Sequence, residues 1–115
     1  MTEQKHTPGP WIVIPGGDEW GRGRVGTIEP KPDTMVETNY WTVAECNNRR
    51  DECLSNAKLI ATAPDLLADL IVAAGTLRHY EALHRAKGTA ESLEKAEVNA
   101  GLASRFEQTI AKATQ

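Results

Sequence analysis

The chain has 115 residues, 40% of them hydrophobic and 25% charged, with a formal net charge of −3. That length supports one domain with one modest core, and the composition excludes wholesale disorder. Acids and bases are interspersed in both halves, so the broad basic surface demanded by duplex nucleic acid is missing and no such partner is expected.

In chain order, the first half reads as a β-meander. Trp11-Ile12-Val13-Ile14 is a short apolar strand closed by Pro15-Gly16-Gly17-Asp18. Gly23 to Glu29 alternates weakly and ends at Pro30, and Tyr40 to Cys46 is the strand richest in β-branched and aromatic residues. Strict alternation puts Tyr40, Thr42, Ala44 and Cys46 on one face of that strand, and Trp41, Val43 and Glu45 on the other. Between them residues 30–38 form a polar, proline-bearing connection. Three strands alone are marginal in water, so this sheet needs helices on one face.

Six of the nine glycines and five of the six prolines precede Arg50, and the pattern beyond it is helical. A first helix is expected from Arg50 or Asp51 to Ala61, with Cys53, Leu54, Ala57, Ile60 and Ala61 at helical spacing. Pro64 lacks an N–H and clashes with a preceding turn, so it is expected to end that helix and open a second. The second helix is expected to bury Leu66, Leu67, Leu70, Ile71, Ala74 and Leu77 and to stop at Gly88. Thr89 is placed to cap a third helix, whose stripe is Leu93, Ala96, Ala100, Ala103, Phe106 and Ile110. The expected fold is therefore α+β. A small antiparallel sheet of about three strands (residues 1–50) precedes a short helix and a long C-terminal helical hairpin (51–115), in one domain.

The second arm of that hairpin carries mainly alanine where a self-sufficient helix would carry leucine. A long, thinly apolar pair of this kind points to self-association through the hairpin, against the simpler alternative of a hairpin folded over its own sheet. The N-terminus shows no apolar signal core, and no uninterrupted apolar run reaches the roughly 18–20 residues that span a bilayer, so no membrane partner is expected. Cys46 and Cys53, the only cysteines, read as buried structural thiols.

No catalytic set is legible. Neither a serine–histidine–acid nor a cysteine–histidine arrangement stands out, and the histidines and cysteines lack metal-ligand spacing, so no enzyme activity, metal or cofactor is expected. His79 and His84, five apart on a helix, do not share a face. Asp65 and Asp69 share one but lack a third ligand. Residues 16–24 are more suggestive: glycines open the backbone, Arg22 and Arg24 alternate, and Trp20 offers an indole for stacking. The alternative is an ordinary hairpin loop with Trp20 folded over the core. Asn47, Arg49 and Arg50 stand where the best strand passes into the first helix, a position suited to an anion or to turn formation and capping. With Trp41 as a second indole, the candidate ligand-binding residues are Trp20, Arg22, Arg24, Trp41, Asn47, Arg49 and Arg50.

Two motifs give the chain a family resemblance. Thr7-Pro8-Gly9-Pro10-Trp11 and Asn56-Ala57-Lys58-Leu59-Ile60-Ala61-Thr62-Ala63-Pro64-Asp65-Leu66-Leu67 resemble a widespread family of small phage and prophage accessory proteins. The likeness covers roughly the first 70 residues. In size and build the chain is also similar to phage sponges that bind cyclic nucleotide or cyclic ADP-ribose signals and so silence defences such as Thoeris and CBASS. That likeness implies a homo-oligomeric binding protein in the cytoplasm of an infected bacterium, holding a small phosphorylated nucleotide signal without cleaving it. The other readings are a protein–protein inhibitor docking its helical hairpin on a host defence or replication protein and, last, a signal-degrading enzyme.

Overall fold

The computed structural model describes residues 6–14, 23–29, 39–46 and 50–115, without the side chains of 28, 29, 39–41, 50 and 51. Three strands, β1 (Ile12–Val13), β2 (Gly23–Glu29) and β3 (Asn39–Cys46), precede two helices, α1 (Arg50–Lys87) and α2 (Ala90–Thr114). The strands form one antiparallel sheet in the order β1-β2-β3. The α+β architecture expected from sequence is present.

The chain divides into two compact units, His6–Asp65 and Leu66–Gln115. In the first, the sheet packs on the opening turns of α1. Val25, Cys46, Cys53 and Ala57 form its buried core, joined by Trp11, Val13, Ala44, Ile60 and Ala61. Cys53 and Ala57 recur four residues apart, so one narrow face of α1 meets the strands. Leu54, the other large side chain of the predicted stripe, is 52% exposed. The Cys53 thiol donates to the Cys46 carbonyl oxygen at 3.3 Å, tying the end of β3 to the helix that follows it.

Gly23 sets how closely strand and helix approach. A Cβ built there would lie 2.8 Å from the Ala57 Cβ and 2.9 Å from the Cys53 carbonyl oxygen. The sheet departs from strict alternation at one place. Val25 pairs with Ala44 but Gly26 with Thr42, so Val43 is the extra residue of a β-bulge. Ala44 and Cys46 therefore face the core while Thr42 is exposed, and the single continuous face expected for β3 is broken.

The helix break expected at Pro64 is absent. α1 runs through it, from Arg50 to Lys87. Proline in a helix interior removes one backbone hydrogen bond and costs about 3 kcal/mol. Here the ring is used in packing: a Cβ on Gly9 would stand 3.1 Å from the Pro64 Cβ. One turn earlier, the Thr62 hydroxyl donates to the Lys58 carbonyl oxygen at 2.8 Å. By length and composition α1 is also long and apolar enough to cross a membrane; a window within Glu52–Lys87 has a mean hydropathy of 1.5, with 6% of it buried. The length is reached on average hydropathy and not as one uninterrupted apolar run. Asp65 and Asp69 interrupt every apolar run yet leave the average high.

In the second unit, the C-terminal part of α1 and α2 form a hairpin whose turn follows the expected chemistry. Gly88, at φ 74°, donates to the His84 carbonyl oxygen and ends α1. The Thr89 hydroxyl accepts from Ser92 N at 3.1 Å and caps α2. The buried seam consists of Ala74, Ser92, Ala96 and Ala103. Ser92, not Leu93, lies one turn before Ala96 on the inward face, so Leu93 turns outward at 41% exposure. Leu66 and Ile71 are likewise exposed, whereas Leu67, Leu70 and Leu77 are half-buried.

Polar groups flank this alanine seam. Arg78 donates to both carboxylate oxygens of Glu107, at 2.6 and 3.2 Å, to Glu81 at 2.8 Å and to the Ser104 hydroxyl at 3.1 Å. Arg85 joins Glu81 to Glu97 at 2.8 and 3.0 Å. Hydrogen bonds from Arg78 and then Arg85 hold the Glu81 carboxyl below its ordinary value of 4.5, and Arg78 does the same for Glu107. The two guanidiniums are correspondingly shifted upward by their glutamates.

Two predictions follow from this packing. Gly23→Ala forces strand and helix apart and lowers stability by about 1–3 kcal/mol in urea unfolding. Gly101→Ala, where an added Cβ meets nothing within 4 Å, raises stability by up to about 1 kcal/mol. Equal midpoints for the two variants would contradict the close approach at Gly23. Depressed carboxyl values contribute stability that is present above the unfolded value and lost as pH falls through the folded one. The melting temperature followed by circular dichroism should therefore drop as pH is lowered below about 4.5, and Arg78→Gln should flatten that dependence.

Candidate functional site

The strand register determines which candidate residues belong together. Gly23 pairs with Cys46 and Arg24 with Glu45. The glycine-arginine segment therefore enters the sheet, and the Asn47–Arg50 junction leaves it, at the same end. α1 opens at Arg50, four residues beyond Cys46. Trp20, Arg22, Asn47 and Arg49 lie outside the described residues, and Arg50 is described by its backbone alone. Trp41, also described by its backbone, pairs with Thr27, four rungs from the Gly23–Cys46 pair, or about 14 Å along the strands. The register thus sets Arg24 one position from the Gly23–Cys46 end of the sheet and Trp41 well away from it.

Arg24 is the candidate whose side chain is described, and it is anomalous. The residue is half-buried, and its Nε is buried without a hydrogen-bond partner among the described residues. Its backbone is fully used in the sheet, with Ile14 N donating to the Arg24 carbonyl oxygen at 2.8 Å. Alternation along β2 turns Arg24 away from the face on which Val25 meets Cys53 and Ala57. A buried donor left unmatched costs about 1–3 kcal/mol, and more when the group is charged. An oxygen-rich anion would relieve that cost, because a guanidinium presents its donors in a planar fork.

The two family motifs meet elsewhere in the same unit. Gly9 lies against Pro64, while Trp11, Ile60 and Ala61 each pack against the same buried core. Trp11 Nε1 donates to the Thr7 carbonyl oxygen at 3.1 Å, and His6 stands edge-on to the indole with ring centroids 6.3 Å apart. The Gly9–Pro10 peptide is cis. Thr7, Pro8, Gly9, Pro10, Ile12 and Thr27 line a cleft of about 260 Å³. Among the described residues its lining carries no charged side chain.

In the hairpin unit, His84 lines an open groove of about 380 Å³ with Glu94, Lys95, Val98 and Asn99. His79 is exposed beside Tyr80, with ring centroids 5.9 Å apart. Asp65 and Asp69 are exposed. Among the described residues, no group of three or more His, Cys, Asp or Glu is gathered to hold a metal ion. Sequence reading passed over the ion-pair chain from Glu107 through Arg78, Glu81 and Arg85 to Glu97. Its signal was present in the i,i+3 and i,i+4 spacing of Arg78, Glu81 and Arg85.

No curated protein and no solved structure matches the chain. A family model matches it over residues 1–115, the helical hairpin included. The chain therefore belongs to the family of Salmonella phage P22 protein Y8K6.

Proposed function

We propose that this phage protein is a non-enzymatic, homo-oligomeric binding protein that sequesters a small phosphorylated nucleotide signal of the host, of the cyclic nucleotide or cyclic ADP-ribose type. The observation that carries this reading is the Nε of Arg24, buried without a partner among the described residues one position from the Gly23–Cys46 pair that ends the sheet. In this reading Arg22, Arg24, Arg49 and Arg50 fork onto phosphate oxygens, Asn47 adds a polar contact, and Trp20 stacks on a base. Trp41 pairs with Thr27, which alternation sets on the opposite face of β2 from Arg24, so it is left out of this phosphate site. The protein acts in the cytoplasm of the infected cell and silences a defence by holding its messenger.

A second reading is favoured by a different observation. Val72, Tyr80 and Leu83 are all at least half exposed on the hairpin, as they would be in an inhibitor that docks this surface on a host protein. It requires no small-molecule binding.

Isothermal titration against cyclic nucleotides and cyclic ADP-ribose isomers is expected to show one saturable ligand class. Heating the complex should release that ligand chemically intact. Arg24→Ala should weaken binding by about tenfold to a hundredfold, the loss of a charge-assisted hydrogen bond. Flat isotherms across the panel would sink the sequestration reading, and altered ligand on release would replace it with catalysis.

A further inference from the structure

We propose that the outward face of α1 between Asp65 and Lys87 docks antiparallel on the same face of a second copy of this chain. This rests on the homo-oligomeric part of the reading above and is independent of the ligand.

Ala74 is buried in the hairpin seam, which fixes the inward direction of α1. At 100° per residue Val72, His79 and Ala86 lie about 120–160° round the helix from Ala74, and Ala68, Gly75 and Ala82 about 80–120° round on the same side. All six are exposed. The two sets each repeat every seven residues, the spacing of a helix–helix seam. Flanking them are Leu83, 52% exposed, and Tyr80, 50% exposed, while Val72 itself is 67% exposed. Large apolar side chains thus rise beside a floor of small ones, as a close helix pair requires.

Gly75 adds a separate argument. Glycine in a helix interior is destabilising relative to alanine. Nothing within this chain asks for it, since a Cβ built at Gly75 meets no atom within 4 Å. Close passage of another backbone over this point gives the missing side chain a purpose.

Charge selects the occupant and its direction. Asp65 and Asp69 stand at the N-terminal end of the face and Lys87 at its C-terminal end, all exposed. Antiparallel pairing of two copies sets acid against base at both ends, whereas parallel pairing sets like against like. A surface that complements itself under a two-fold rotation is what an isologous dimer needs. A lipid core would instead have to accept both aspartates.

The test uses the full chain in sedimentation equilibrium, with concentration-dependent dimerisation expected. Gly75→Leu has open space in the single chain and should retain its helical circular dichroism while weakening association by about tenfold to a hundredfold. Gly101→Leu on α2 should leave association unchanged. Asp69→Lys and Lys87→Glu should each weaken it, and the two together in one chain should restore it. For direction, Thr76→Cys near the midpoint should cross-link two copies readily, and Lys87→Cys should not. A monomer at every concentration, or an unchanged dimer in Gly75→Leu, overturns the proposal. So does equal cross-linking at positions 76 and 87. Binding of the wild-type chain to anionic phospholipid vesicles in place of self-association also overturns it, in favour of a membrane face.

Discussion

The fold depends on the closeness with which β2 lies on the first turns of α1. At Gly23 the strand backbone sits where no side chain fits, against Ala57 and the Cys53 carbonyl. That contact places Val25, Cys46, Cys53 and Ala57 in one small core. A core of this size is sensitive to single methyl groups, because burying one valine is worth only about 1.5–3 kcal/mol. Pro64 belongs to the same arrangement. Inside a helix it is a penalty, yet its ring lies against Gly9, in the segment that leads into β1. The two family motifs are thus two sides of one interface. The asparagine-alanine segment supplies Ala57, Ile60, Ala61 and Pro64, and the proline-glycine-proline-tryptophan segment supplies Gly9 and Trp11.

The hairpin is built on a different balance. Its buried seam is alanine and serine, and each alanine contributes little more than a methyl group, about 0.8 kcal/mol. The specificity of the pairing comes from Arg78 and Arg85, which fix α1 against Glu107, Ser104 and Glu97. Exposed ion pairs contribute modestly to stability. They do, however, set which residues face one another, since the fork of Arg78 takes both oxygens of one carboxylate. The larger apolar side chains, among them Val72 and Val98, are left outside.

Much of this was legible from residue order. All three strands fall where β-branched residues lie between glycine and proline punctuation, and the turn between the helices was readable because Gly88 and Thr89 have distinct local roles. What failed depended on contacts distant in sequence. Pro64 reads locally as a helix start, and only its packing on Gly9 explains why α1 continues. The bulge at Val43 arises from pairing with β2, which no alternation pattern within β3 reveals. Ser92 displaced Leu93 from the seam because the direction of α2 is set by Ala96 and Ala103 rather than by hydrophobicity. For the candidate site, sequence pointed to arginines in two separate segments. The Gly23–Cys46 pairing showed that Arg24 stands at one end of the sheet, and that Trp41 does not.

The exposed helix face and the alanine seam are best considered together. A hairpin that folded only upon itself would gain by turning its valines and leucines inward and its alanines outward. This one buries Ala74, Ala96 and Ala103 and leaves Val72, Leu83 and Val98 exposed, and Gly75 weakens the helix with no steric need among the described residues. Local propensity and internal packing agree elsewhere in α1, at Cys53 and Ala57 and at the Gly88 stop. Where both are sacrificed on one face, the proposed second copy would supply the compensating contact. The same reasoning applies to Arg24, whose Nε is buried without a hydrogen-bond partner among the described residues. The two sites differ in the chemistry they lack, an apolar surface in one case and an anion in the other. A protein that assembles through its helices and holds its ligand at the sheet would satisfy both.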